Sequence, residues 1–148
     1  MKKSIAFLLL FVFSINMVFA TSEPIPRIDI IVKKKPGHIA VANFKTDATG
    51  KFSTKLSEKG KYDITYSFDD IKKAIIAKDK AYEANPAAYS ITVTVSGDTP
   101  GIQIFDRLGN LYKNSTIEII KESAISVGVS AGTTVTCTFT YALKSAHK

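Results

Sequence analysis

Phe52-Ser53-Thr54-Lys55-Leu56 and, past a polar turn at residues 57–60, Tyr62-Asp63-Ile64-Thr65-Tyr66-Ser67-Phe68 decide the reading of this chain. In both runs Phe52, Thr54 and Leu56, then Tyr62, Ile64, Tyr66 and Phe68, alternate with polar residues. Successive side chains on a strand point to opposite faces, so the pattern buries one face and wets the other. A connection this short reads as a turn joining antiparallel neighbours.

The same period extends outward on both sides. Ile28, Ile30 and Val32 share a face, and a second extended run covers residues 39–45 after Lys33-Lys34-Lys35-Pro36-Gly37. Asp47-Ala48-Thr49-Gly50 has turn chemistry, because Asp bonds its own backbone and Gly accepts a positive φ. Toward the C-terminus the alternating sets are Tyr89, Ile91, Val93 and Val95; Ile102 and Ile104; Ile117 and Ile119; Ile125, Val127 and Val129; and Val135, Cys137, Phe139 and Tyr141. Residues 69–85 alone change period, with Ile71, Ala74, Ile75, Lys78 and Tyr82 on one helical stripe, a cap at Ser67 or Asp69, and a stop at Asn85-Pro86. About eight or nine short strands and one amphipathic helix at about 69–85 predict a mostly β chain, an antiparallel β-sandwich.

Residues 1–20 read as a cleavable signal peptide: Lys2 and Lys3, an apolar run from Ile5, and Val18-Phe19-Ala20 at the cleavage site. The expected layout is a flexible leader at 21–26, one sandwich domain at 27–144 and a tail at 145–148. No later run is apolar enough to span a bilayer. Cleavage leaves 128 residues with a net charge of +5. The excess favours solubility and attraction to anionic surfaces, and export makes nucleic acid an unfit partner. Cys137 is the one cysteine, so the fold must rest on its apolar core, and period two places this thiol on the core face.

Thr46-Asp47-Ala48-Thr49-Gly50-Lys51-Phe52, then Leu56, then Gly60-Lys61-Tyr62 resemble the carboxypeptidase regulatory-like modules, which share a transthyretin-like (prealbumin-like) sandwich. The likeness spans residues 28–68 and implies a fold and an exported accessory module, without an activity. Transthyretin-like 5-hydroxyisourate hydrolases resemble one another through a C-terminal Tyr-Arg-Gly-Ser, whereas this chain reads Tyr141-Ala142-Leu143-Lys144.

Other constellations read as structure. His38 and His147 lie far apart without ligand spacing, so no metal or other cofactor is expected. A Cys137–His38 nucleophile pair would need the thiol at a cleft. Asp69-Asp70 suits a helix start, and Asp47-x-x-Gly50 lacks the closing ligands of a calcium loop. Asn114-Ser115-Thr116 fits a glycan acceptor only in a source that adds such glycans. Thr134, Thr136, Thr138 and Thr140 form an outward row of the kind found on wet strand faces and on adhesive or ice-binding surfaces. Cations gather between positions 33 and 61, notably Lys33, Lys34, Lys35, Lys51 and Lys55, which are the candidates for contact with an anionic surface. The expectation is an exported, non-catalytic module with a structural or protein-interaction role in the periplasm or at the surface of a bacterium. The alternatives are a binding module for glycans or other anionic envelope polymers, and an enzyme of unrecognised type.

Overall fold

The leader contributes a short strand, β1 (Glu23–Pro24), and the period-two runs form β2 (Asp29–Lys34), β3 (Ile39–Lys45), β4 (Lys51–Leu56), β5 (Gly60–Thr65), β6 (Tyr89–Gly97), β7 (Gln103–Phe105), β8 (Thr116–Ile119), β9 (Ala124–Val129) and β10 (Thr133–Leu143). The computed structural model describes residues 22–106, 108–120 and 123–144, so the expected signal peptide and C-terminal tail lie outside the described residues. One sheet runs β8–β6–β10, and the far edge of β10 pairs with β4 and, beyond it, with β1. The other runs β3–β2–β5–β9–β7, and all pairings are antiparallel. The inward rows meet in one core that includes Ile30, Val32, Ile64 and Val127 from one sheet and Val93, Val95, Cys137 and Phe139 from the other. The chain is a mostly β, two-sheet antiparallel sandwich.

Three local expectations change. Strands β4 and β5 are not neighbours: β4 pairs with β10, while β5 lies between β2 and β9. Phe52 and Leu56 thus share the core with Tyr62 and Ile64 from the opposite sheet. Alternation identifies the buried face of a strand and says nothing of the strand beside it, so a link across the sandwich reads like a hairpin. The link from β3 to β4 crosses in the same way, and Phe44 stacks on Phe52 at 5.7 Å between ring centroids.

The helix begins at Phe68, where strand alternation was expected to continue, and it breaks in two: α1 (Phe68–Lys78) and α2 (Ala81–Ala84). The Ser67 hydroxyl caps α1 by accepting from the Asp70 N–H. Asp79 interrupts it, because its carboxylate accepts from the Ala81 N–H and from the Tyr89 hydroxyl. Ile71, Ile75 and Tyr82 stay buried, so the apolar stripe survives the break.

The leader is anchored. Glu23 and Pro24 pair with Tyr141 and Thr140, and Ile25 is fully buried. Thr46 ties this segment down: its buried hydroxyl accepts from the Ile28 N–H and donates to the Ile25 carbonyl, both at 2.9 Å. One polar run before the first alternation could not reveal strand pairing with residues more than a hundred positions away.

Gly50 sits where β1 and β4 meet against β10. Its carbonyl accepts from the Phe139 N–H at 2.7 Å, and Ile25 donates to the Phe139 carbonyl at 3.0 Å. At φ +77° it holds a left-handed conformation, and a Cβ there would collide with the Phe139 carbonyl oxygen. Gly50→Ala should therefore destabilise the protein by about 3 kcal/mol or more. Gly101→Ala, also at positive φ but with nothing within 4 Å of the added carbon, should cost only about 1 kcal/mol. Denaturant unfolding of both variants checks this, and equal losses would contradict the close approach at Phe139.

Candidate functional site

Strand alternation sorts the candidate lysines onto different sides of the sandwich. Val32 and Ile64 face the core, so Lys33 and its partner Asp63 face outward on the β3–β2–β5–β9–β7 sheet. Lys35 joins them, with Nζ 3.4 Å from Asp63 Oδ1 and 3.4 Å from Ser126 Oγ. Lys34 turns toward the sandwich end, where Nζ lies 3.8 Å from Glu58 and 5.8 Å from the centre of the Tyr62 ring. Lys51 and Lys55 stand beside Thr138 and Thr134 on the outer face of the other sheet. The five residues therefore form no single patch. Their sequence proximity hid this, because neighbours on a strand face opposite ways.

Asp63 is the hub of the first face. Its carboxylate accepts from the Ser126 hydroxyl at 2.5 Å, and Oδ2 lies 3.6 Å from His38 Nδ1. A serine, a histidine and an aspartate are together here, but the aspartate is in the middle. A nucleophile triad needs the imidazole between the other two to take the hydroxyl proton. With Ser126 donating directly to Asp63, the group is an ion-pair cluster that ties β5 to β9 and to the turn between β2 and β3. Beside it Lys61 places its ammonium 4.3 Å from the centre of the Phe105 ring.

The opposite face is a sheet of hydroxyls. Thr136, Thr138 and Thr140 pair across β6 with Ser96, Thr94 and Thr92, and Thr94 continues to Thr116 on β8. Many bond one another: Ser53 with Thr136 at 2.7 Å, Thr92 with Thr140 and Thr94 with Thr116 at 3.0 Å each. The row seen in the sequence is one line of a two-dimensional array.

Other candidates hold the fold. Asp47 Oδ1 accepts from the Thr49 hydroxyl and from the N–H groups of Thr49 and Lys51, and these bonds hold its carboxyl below the usual range. Asp70 lies in the first turn of α1, where a carboxylate meets the positive end of the helix dipole. Among the described residues no group of three or more His, Cys, Asp or Glu side chains is placed to hold a metal ion. His147 lies outside the described residues.

A groove of about 710 Å³ runs between the start of α1, the turn at Pro86 and strand β8. Phe68, Tyr82, Tyr89, Ile119, Lys72 and Glu118 line it. Its size suits a small ligand, but its charges oppose each other, and Lys72 already lies 3.6 Å from Asp69. It escaped notice in the sequence because its walls come from three separate segments, each legible only as a core stripe.

Against known proteins the chain matches no family model, no curated protein and no solved structure. The fold itself defines the class: an antiparallel two-sheet β-sandwich in which no described helix is long and apolar enough to cross a membrane.

Cys137 is fully buried, and burial pushes its thiol up to about 12. In the folded protein it should react with a thiol reagent near pH 8 only as fast as the protein opens, and quickly in denaturant. Between the ordinary thiol range and about 12 the unfolded chain releases a proton that the native chain keeps. Stability carried by this site is thus full below that range and falls as pH rises through it. Cys137→Ala should flatten this alkaline decline, and Cys137→Asp should cost several kcal/mol. Equal labelling rates in folded and unfolded protein would put the thiol on the surface.

Proposed function

We propose that the chain is an exported, non-catalytic sandwich of transthyretin-like or carboxypeptidase regulatory-like kind, and that it acts by contact at a bacterial cell envelope. One observation carries this reading: the side chains with most chemistry to offer are engaged in building the fold. Cys137 lies in the core, Asp63 ties β5 to β9 and to the turn after β2, Asp47 closes a turn, and Asp79 receives the Tyr89 hydroxyl. What the molecule presents outward is two broad sheet faces, one rich in hydroxyls and one centred on lysines. Such faces suit recognition of a partner protein better than bond-making.

A second reading, binding of a glycan or another anionic envelope polymer, is favoured by the hydroxyl array flanked by Lys51 and Lys55. In-cell cross-linking of the exported protein separates the two. A discrete protein partner is expected under the first reading, and capture on a polymer supports the second. Turnover in a hydrolase panel, abolished by a surface substitution, would refute both.

A further inference from the structure

The turn between β2 and β3 leaves six consecutive residues exposed: Pro36, Gly37, His38, Ile39, Ala40 and Val41. Ile39 is 67% exposed and Val41 49%, and both are large apolar side chains. Folded domains rarely show such a run without a use for it. It also occupies an edge strand, since β3 pairs with β2 and with no other strand among the described residues. The register shift after Val32 leaves Val41 without a Cα partner, so the edge is irregular there and a poor template for another strand.

The cations lie around this same hairpin. Lys33 and Lys35 are on one side of it and Lys34 on the other, paired in register with Ile39. Lys61 adjoins from β5, its carbonyl accepting from the Lys35 N–H at 2.9 Å. Two carboxylates, Asp63 and Glu58, are the acids in contact with these lysines among the described residues. The Lys33 side chain has no ion pair there.

We propose that this hairpin tip is a peripheral membrane contact, in which Ile39 and Val41 enter the interface of a bilayer while the lysines meet anionic lipid headgroups. The inference rests on the envelope reading above and names the surface that is touched. Charge complementarity selects an anionic partner, and the exposed apolar run selects a lipid one: an acidic polysaccharide would satisfy the lysines but give Ile39 and Val41 nothing to bury against. A second copy of the chain is disfavoured, because like hairpins would bring Lys33, Lys34 and Lys35 against their equivalents.

The test is co-sedimentation of the exported protein with phosphatidylethanolamine vesicles holding roughly a third phosphatidylglycerol, an anionic fraction that attracts basic segments. Vesicles of phosphatidylcholine alone and soluble polygalacturonate serve as the other arms. Binding is expected to the anionic vesicles alone and to weaken as salt rises. Lys33→Gln should lower it roughly fivefold, the worth of one lysine at such a surface. The paired change Ile39→Ser and Val41→Ser should also weaken it at constant charge, with an unchanged circular dichroism spectrum showing that the fold persists. Equal binding to phosphatidylcholine, full binding by the Ile39→Ser, Val41→Ser variant, or no vesicle binding would each overturn the inference. Binding to polygalacturonate without vesicles would assign the patch to an acidic glycan instead. If vesicles fail while cross-linking in cells still captures an envelope component, the lipid inference alone is lost and the envelope reading stands.

Discussion

The backbone of Phe139 donates to Gly50 and accepts from Ile25, so two separate pieces of chain share one edge of β10. On its other edge β10 pairs with β6 from Val135 to Leu143. A strand bonded along both sides and buried on one face has its hydrogen-bonding groups satisfied by three distant segments at once. The first of these includes residues that alone would be a loose polar leader. The Thr46 hydroxyl then fastens the crossing from Ile25 to Ile28, which delivers the chain to the second sheet. The one cysteine is buried and free, so no intramolecular disulfide ties the fold, and this pairing and the core beneath it hold it together.

The two-sheet arrangement also sets what the molecule can present. Because neighbouring lysines on β2 face opposite ways, the Lys33, Lys34, Lys35 triplet splits around its hairpin instead of forming one flat patch. Lys51 and Lys55 fall on the far side of the sandwich, among hydroxyls that bond one another. The two faces therefore differ in kind: one is a hydroxyl array with Lys51 and Lys55 along one side, and the other is centred on an ion-pair cluster and ends in an apolar tip.

Most of the strands were legible from the sequence because each has one wet and one dry face, as β6 shows with Tyr89, Ile91, Val93 and Val95 buried and the residues between them outside. The pairing was not legible, since Phe52 and Tyr62 carry the same signal whether their strands are side by side or opposed. The helix stripe was legible, whereas its break was not: Asp79 leaves the helical path for Tyr89, a partner ten residues away. The Asp63 cluster was hidden for a related reason, as Lys35, Asp63 and Ser126 meet only through the register of three strands. The exposed run after Lys35 could have been noticed as apolar residues beside cations. Its exposure follows only from the edge position of β3.

Amide hydrogen exchange, read residue by residue, tests most directly whether β10 organises the fold. Under native conditions the amides of Cys137 and Phe139, with Val93 and Val95 across from them, should be among the slowest, exchanging only when the whole domain unfolds. Those of the edge strands β3 and β7 should exchange earlier. If β10 exchanged ahead of β5 and β9, the sheet built on it would open before the other, and it could not be the element on which the structure depends.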